Sequence, residues 1–136
     1  MLPAPREAVF AAMTSSEQLR RWWGPRGFAV PTALLDVRPG GAYRIAMRPP
    51  EGDVFHLAGT FRAVAPPARL AYTFNWEPPD ADDRETLVEL ALREDGVSTQ
   101  LELVQGPFLT EERLALHRNG WTETLERLGD YLGAPG

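Results

Sequence analysis

The chain has 136 residues, a formal net charge of −5, 43% hydrophobic residues and 24% charged residues. At this length a single globular domain can bury about two-thirds of the surface of its unfolded chain, and the composition is ordinary for such a domain. We therefore predict one domain over residues 1–136. The acidic balance argues against nucleic acid or an anionic membrane as a partner.

Composition also excludes several kinds of chemistry. The absence of cysteine rules out disulfides, thiol nucleophiles and thiolate metal sites. With two histidines there is no histidine-rich metal cluster, and all 14 basic residues are arginine, so there is no lysine for Schiff-base chemistry. The N-terminus lacks a signal-peptide pattern, and no apolar run approaches the roughly 18 residues of a membrane span. We predict a cytoplasmic protein without a cofactor or a metal.

Two short helices are predicted before the first strand. Pro5 suits the first turn of one helix. Ser15, followed three residues later by Gln18, forms a capping box for a second helix, which we expect to continue through residue 23.

The adjacent residues Trp22 and Trp23 cannot both face the same side of a short helix. We expect one indole to close the open end of the sheet and the other to pack outside or against a partner. Trp22 is included in the predicted ligand site.

Six segments alternate between apolar and polar residues, which is typical of an antiparallel sheet with one face on the core and one in water. The segments are residues 28–37, 43–47, 54–64, 69–76, 86–93 and 97–105. Pro31 favours an edge position or a bulge for the first of them. The inward-facing side chains that we predict to line a cavity are Met47, Phe61, Tyr72, Phe74, Trp76 and Leu90.

The segment EPPDADDRE, Glu77 to Glu85, contains five acids and two prolines. It is predicted to be a mobile, solvated loop that cannot pack. Its aspartates Asp80, Asp82 and Asp83 would bind a metal weakly at best.

A long amphipathic helix is predicted from Thr110, its N-cap, to Leu132. Its apolar face, at spacings of three and four, consists of Leu114, His117, Trp121, Leu125, Leu128 and Leu132. His117 is either a core histidine bonded to a carbonyl or tyrosine, or a polar group at the mouth of a cavity; a catalytic base would need a partner that the sequence does not identify. Gly120 costs about 1 kcal/mol relative to alanine in a helix, which close approach to the sheet or to Trp22/Trp23 would explain.

The chain contains, in this order, the segments APREAVFAAMTSSEQLRRWWGP, VRPGGAYRI, GTFRAVAPPARLAYTFNW, STQLELVQGPF and HRNGWTETLERLGDYL. Together they resemble a bacterial family related to the C-terminal domain of the Hsp90 ATPase activator, in the START-like (SRPBCC, Bet v 1-like) superfamily. The resemblance extends from Ala4 to Leu132.

The resemblance implies an α+β helix-grip fold, in which a curved antiparallel sheet wraps around the C-terminal helix and two small helices close one end. It also implies a hydrophobic cavity between sheet and helix. Two departures are visible. Relatives usually have a further strand before APREAVF, which pairs with the last strand. Without it, residues 97–105 would expose an unpaired edge. Either the true start lies upstream, or a loop or another chain, as in a homodimer, covers this edge. Many relatives also carry His where this chain has Gln105.

We predict noncatalytic binding of a small hydrophobic molecule, with His117 or Tyr72 orienting a polar end and Trp121 in the wall. Two alternatives remain open at this point. One is a protein-interaction module that binds an Hsp90 homologue, and the other is a small-molecule enzyme of the cyclase or hydrolase kind.

Overall fold

The predicted strands form one six-stranded antiparallel sheet whose order in space, β1-β2-β3-β4-β5-β6, follows the chain. The structure is a computed structural model and describes residues 2–133. The elements are α1 (Arg6–Thr14), α2 (Ser16–Leu19), β1 (Ala33–Leu35), β2 (Ala42–Met47), β3 (Phe55–Ala65), β4 (Arg69–Glu77), β5 (Thr86–Asp95), β6 (Ser98–Gly106) and α3 (Glu111–Gly133). This is the predicted α+β helix-grip architecture, with a curved sheet, two short N-terminal helices and one long C-terminal helix.

The first strand is much shorter than predicted. Only Ala33–Leu35 pairs continuously with β2, and one isolated bridge joins Ala29 to Arg48. Pro31 lies between these two pairings and has no N–H to donate to the neighbouring strand. β1 is an edge strand, as the proline indicated.

The opposite edge of the sheet is β6, and its first part is covered by the N-terminal segment. The Leu2 N–H donates to the Thr99 carbonyl at 2.8 Å, and the Thr99 N–H donates back at 3.0 Å. The Thr99 hydroxyl also donates to the Ala4 carbonyl at 2.7 Å. At Thr99, therefore, the edge is covered by a segment of this chain, which is one of the alternatives left open by the sequence. Among residues 2–133, β6 pairs with β5 along its inner edge, and its outer edge has no further strand partner beyond the bridge to Leu2.

The N-terminal helices bring both adjacent tryptophans inside. The Ser15 hydroxyl accepts from the Gln18 N–H at 3.3 Å, so the predicted cap is present, but α2 ends at Leu19. In the turn that follows, Trp22 is 1% exposed and Trp23 is 7% exposed. The prediction that one indole packs outside is wrong, because this turn does not impose the opposite directions that a continuing helix would.

The final helix begins as predicted, with the Arg113 N–H donating to the Thr110 hydroxyl at 3.1 Å. Its buried residues are His117, Thr124 and Leu128. Leu114 is 38% exposed, so its predicted place on the apolar face is wrong. In this first turn the side chain of Arg113, one position earlier, is the less exposed of the two, at 16%.

Candidate functional site

A cavity of about 550 Å³ lies between the sheet and α3. Its walls come from four parts of the chain, which are the strands, α3, the segment after α2 and the loop after β4. The main apolar lining consists of Trp23, Pro25, Phe28, Met47, Phe55, Phe74, Trp76, Pro78, Leu116, His117 and Trp121. This volume is in the range of small-molecule sites, which are concave, mostly apolar and furnished with a few polar groups.

The structure divides the predicted site residues into three groups. Five line this cavity: Met47, Phe74, Trp76, His117 and Trp121. Phe61, Tyr72 and Leu90, together with Trp121, line a separate inner cavity of about 30 Å³. Trp22 lines neither cavity; it is packed in the core, where its indole N–H donates to the Ala12 carbonyl at 3.1 Å.

Trp23 and Trp121 form the partition between the two cavities, since both residues line both spaces. Their rings meet edge to face with centroids 5.4 Å apart. Trp23 was missed from the sequence because adjacent tryptophans leave their relative directions undetermined. Tyr72 lies on the inner side of this partition, and burial raises the pKa of its phenol well above the ordinary range.

His117 contacts the outer cavity and is held by aromatic neighbours. Its Nε2 accepts a hydrogen bond from the Trp76 indole N–H at 3.2 Å, so the ring proton is placed on Nδ1. Its ring centroid lies 4.8 Å from that of Phe108 and 5.2 Å from that of Phe74. Burial lowers the pKa of His117, a shift that Asp83 opposes and Arg113 reinforces. The imidazole is therefore a neutral polar group in the cavity wall, bonded to a tryptophan rather than to a carbonyl or tyrosine.

Gln105 fixes the indole of Trp121 in the wall. The Trp121 indole N–H donates to Gln105 Oε1 at 2.7 Å, and Gln105 Nε2 donates to the Thr86 hydroxyl at 2.8 Å. The amide satisfies an indole on the helix and a hydroxyl on the sheet at once. A neutral histidine at this position would also have one acceptor and one donor, but its ring would place them at different points from those of the amide.

The acidic loop after β4 is tied to α3 by Arg113, so the prediction that it cannot pack is wrong. Arg113 lies 3.0 Å from Asp82 Oδ1 through Nε, pairs with Asp80 through Nη2, and lies 3.4 Å from Asp83 Oδ1. The Asp83 side chain is only 8% exposed. The Arg113 guanidinium lowers the pKa of Asp82 through its hydrogen bond. This loop therefore forms one side of the cavity.

Arg127 fixes another wall of the cavity in place, although its own side chain does not line the cavity. Its Nη1 lies 3.0 to 3.1 Å from the carbonyl oxygens of Trp23, Gly24 and Pro25, and 3.4 Å from that of Phe28. Partial burial lowers the pKa of this guanidinium. One α3 side chain thus fastens the backbone of the segment that carries Trp23.

Gly120 faces the cavity, and the expectation that it permits a close approach is wrong. A Cβ built at this position meets only Pro25 Cγ, at 4.0 Å. A small side chain would fit there, so what the glycine preserves is free volume beside Trp121.

The described residues contain no group of three or more acidic or histidine side chains arranged to hold a metal ion. Arg113 supplies the positive charge that the loop aspartates attract. In the same part of the chain, 2–133, no helix combines the length and the apolar character needed to cross a membrane.

Residues 3–133 match the family model described as activator of Hsp90 ATPase homolog 1-like protein. The chain belongs to this family. No functionally curated protein matches the sequence.

Solved structures with a similar fold come from several bacteria. The AHSA1 protein of Silicibacter pomeroyi is 30% identical, with a TM-score of 0.82 over 96% of this chain and 92% of that one. Protein CV1439 of Chromobacterium violaceum is 25% identical, with a TM-score of 0.88 over 98% and 93%. A protein of Rhodobacter sphaeroides is 27% identical, with a TM-score of 0.83 over 99% and 89%. The START-like superfamily suggested by the sequence motifs agrees with these neighbours.

Proposed function

We propose that this family member binds a small hydrophobic molecule, without catalysis, in the cavity between the sheet and α3. The observation that carries the proposal is an open space of about 550 Å³ whose walls are mainly apolar and include six Trp and Phe rings. Such surfaces are normally buried in a folded protein, and a concave apolar site with a few polar groups is typical of ligand pockets.

The energetics favour an apolar ligand. Phe28, Phe55, Trp76 and Trp121 line the cavity and are only partly buried, although each packs against the core. A ligand that covers these rings would gain about 25 cal/mol for each Å² of apolar surface removed from water. His117, with its lowered pKa, would add a neutral polar contact without the cost of burying a charge.

The proposal is noncatalytic because two ionisable groups of the cavity, His117 and Arg113, are already engaged. His117 Nε2 accepts from Trp76, and Arg113 is bound to the loop carboxylates. A nucleophile activated by a base would require a hydrogen-bonded pair that is free to act on a ligand.

Gly120 offers a direct test. Gly120→Leu would place a side chain in the cavity and would improve helix propensity by up to about 1 kcal/mol. Binding of the neutral dye N-phenyl-1-naphthylamine should be strong in the wild type and lost in this variant, while the unfolding transition is retained. Gly120→Ala is the matched control, because its Cβ fits and most of the cavity remains. A wild type that binds no dye, or a Gly120→Leu variant that binds it unchanged, would contradict the proposal.

The family description supports a second candidate, a protein-interaction module acting on an Hsp90 homologue. Its test is the ATPase rate of the host organism's Hsp90 homologue with and without this protein. Stimulation that persists in Gly120→Leu would favour this function over ligand binding.

Two further proposals concern the assembly of the protein and its location in the cell. We propose that the uncovered part of β6 supports a homodimer and that the protein is cytoplasmic. Native mass spectrometry of protein purified from its host would report subunit number and bound small molecules together, and cell fractionation would report location.

A further inference from the structure

We propose that the cavity selects ligands whose polar end is positively charged and disfavours anionic ones such as fatty acids. This inference rests on the proposed ligand-binding function and specifies the chemical class of the ligand. It is argued from the charges that line the cavity, their existing partners and the aromatic character of the wall.

Three carboxylates and one guanidinium line the cavity, belonging to Asp80, Asp83, Glu123 and Arg113. The lining therefore carries an excess of negative charge, since its remaining residues are aromatic, aliphatic or neutral polar. A ligand that enters between these carboxylates meets a negative potential, and low-dielectric walls strengthen it.

The one lining cation cannot serve an anionic ligand in its present arrangement. Arg113 is bound to Asp80 and Asp82 and lies 3.4 Å from Asp83, and its side chain is only 16% exposed. Its charge is thus surrounded by three negative charges. A carboxylate ligand would have to displace one of these partners and would still face the other two.

The other nearby basic groups are also engaged. His117 is kept neutral by burial, which lowers its pKa. Arg127 donates to the carbonyls of Trp23, Gly24, Pro25 and Phe28. The Arg26 side chain pairs with Glu126 and Asp130, outside the cavity lining, while its backbone N–H donates to Glu123 at 3.2 Å.

The aromatic wall favours the same sign of charge. Phe74, Trp76 and Trp121 present π-systems to the cavity, and the faces of such rings attract cations when water is excluded. The lining carboxylates and the aromatic rings therefore act in the same direction. Together they favour an apolar body that carries a protonated amine.

Three probes with one ring system separate charge from hydrophobicity: 1-naphthylmethylamine, 1-naphthylmethanol and 1-naphthylacetate. Near neutral pH the amine is protonated and the acid is ionised. Calorimetric titration at low ionic strength should show the amine binding at least about fivefold more tightly than the alcohol, and the carboxylate at least about fivefold more weakly. Added salt should reduce both differences.

Glu123 and Glu126 provide a matched pair of variants on α3. Both contact Arg26, but only Glu123 lines the cavity. Glu123→Gln should weaken amine binding about threefold or more and strengthen carboxylate binding, while Glu126→Gln should change either by less than about twofold. Both variants should keep the wild-type unfolding transition, because each replaces a surface carboxylate by an amide of the same shape.

The outcomes distinguish this inference from the function on which it rests. If the alcohol binds but the carboxylate binds as tightly as the amine, the charge preference is overturned and the apolar site stands. Equal effects of Glu123→Gln and Glu126→Gln would also overturn it. If none of the three probes binds and the neutral dye does not bind either, the ligand-binding function itself fails.

Discussion

The indole rings of Trp23 and Trp121 meet at 5.4 Å with an interplanar angle of 90°, and this contact separates a large outer cavity from a small inner one. The inner cavity, at about 30 Å³, has room for little more than one water molecule. The inner residues Phe61, Tyr72 and Leu90 therefore pack behind the wall of the outer cavity. A ligand of the proposed kind would contact the two indoles instead.

The two adjacent tryptophans should respond differently to the same substitution. Trp22 Nε1 makes a buried hydrogen bond to the Ala12 carbonyl, whereas Trp23 Nε1 is buried without a hydrogen-bond partner among residues 2–133. Trp22→Phe loses a satisfied bond, while Trp23→Phe removes an unsatisfied donor whose burial is costly. We expect Trp22→Phe to be more destabilising by about 1–3 kcal/mol. Urea unfolding measures both; equal losses, or a larger loss for Trp23→Phe, would contradict this account.

Arg113→Gln should release the acidic loop and change the pH dependence of stability. The hydrogen bond from Arg113 lowers the pKa of Asp82 in the folded state. A carboxyl group with a lowered folded pKa stabilises the protein above its unfolded pKa, near 3.9, and this contribution is lost as the pH falls through the folded value. The free energy of unfolding of the wild type should therefore fall on acidification below about pH 4, and that of the variant should fall less.

Arg69→Gln is the control for Arg113→Gln. It breaks one exposed ion pair with Glu89, at 3.0 Å, which should contribute at most about 1 kcal/mol. Hydrogen exchange in residues 78–85 should increase in Arg113→Gln and stay unchanged in the control. Unchanged protection in both would show that Arg113 does not restrain the loop.

His117 should make the protein less stable as the pH falls from neutral to mildly acidic values. Burial lowers the pKa of His117, so below about pH 6.5 the unfolded chain binds a proton that the folded chain does not yet bind. The free energy of unfolding should decline in that window. His117→Gln keeps an acceptor for the Trp76 indole but does not titrate, so its stability should vary less there. An NMR titration of His117 that shows a raised pKa would sink this prediction.

Arg127→Met should loosen the segment from Trp23 to Phe28. The variant keeps much of the aliphatic stem but removes donors from four carbonyls, and hydrogen bonds to charged groups contribute about 1.5–3 kcal/mol. We expect a loss of that size in urea unfolding together with weaker dye binding. Arg118→Gln, at an exposed position on the same helix, should change neither property. If Arg127→Met loses stability but binds dye normally, the segment is not needed for the site.

Hydrophobic periodicity predicted most of the fold from the sequence. The inward residues of β5, Thr86, Val88, Leu90 and Leu92, are all buried, and the long helix begins within one residue of the prediction. The alternation was reliable because a register shift of one residue would point every core side chain of a strand towards the solvent. In β1 this argument failed, since Pro31 interrupts the pairing.

The site was harder to predict because its parts depend on contacts between distant segments. Arg113 and Asp82 are separated by 31 positions, and no local pattern indicates that their side chains meet. Trp23 was overlooked in favour of Trp22 because the turn after Leu19 is not a regular helix. The inner and outer cavities could not be distinguished either. Alternation along a strand shows which residues share a face of the sheet, but it does not show which part of that face the helix contacts.

The bare backbone at Gly120 has a consequence for comparing members of the family. If the proposed ligand binding holds, the side chain at this single position of α3 would limit the size of the ligand while the rest of the lining stays unchanged. Homologues could then be sorted by the size of the side chain at this position. Homologues with a branched or aromatic side chain there are expected to bind smaller ligands or none.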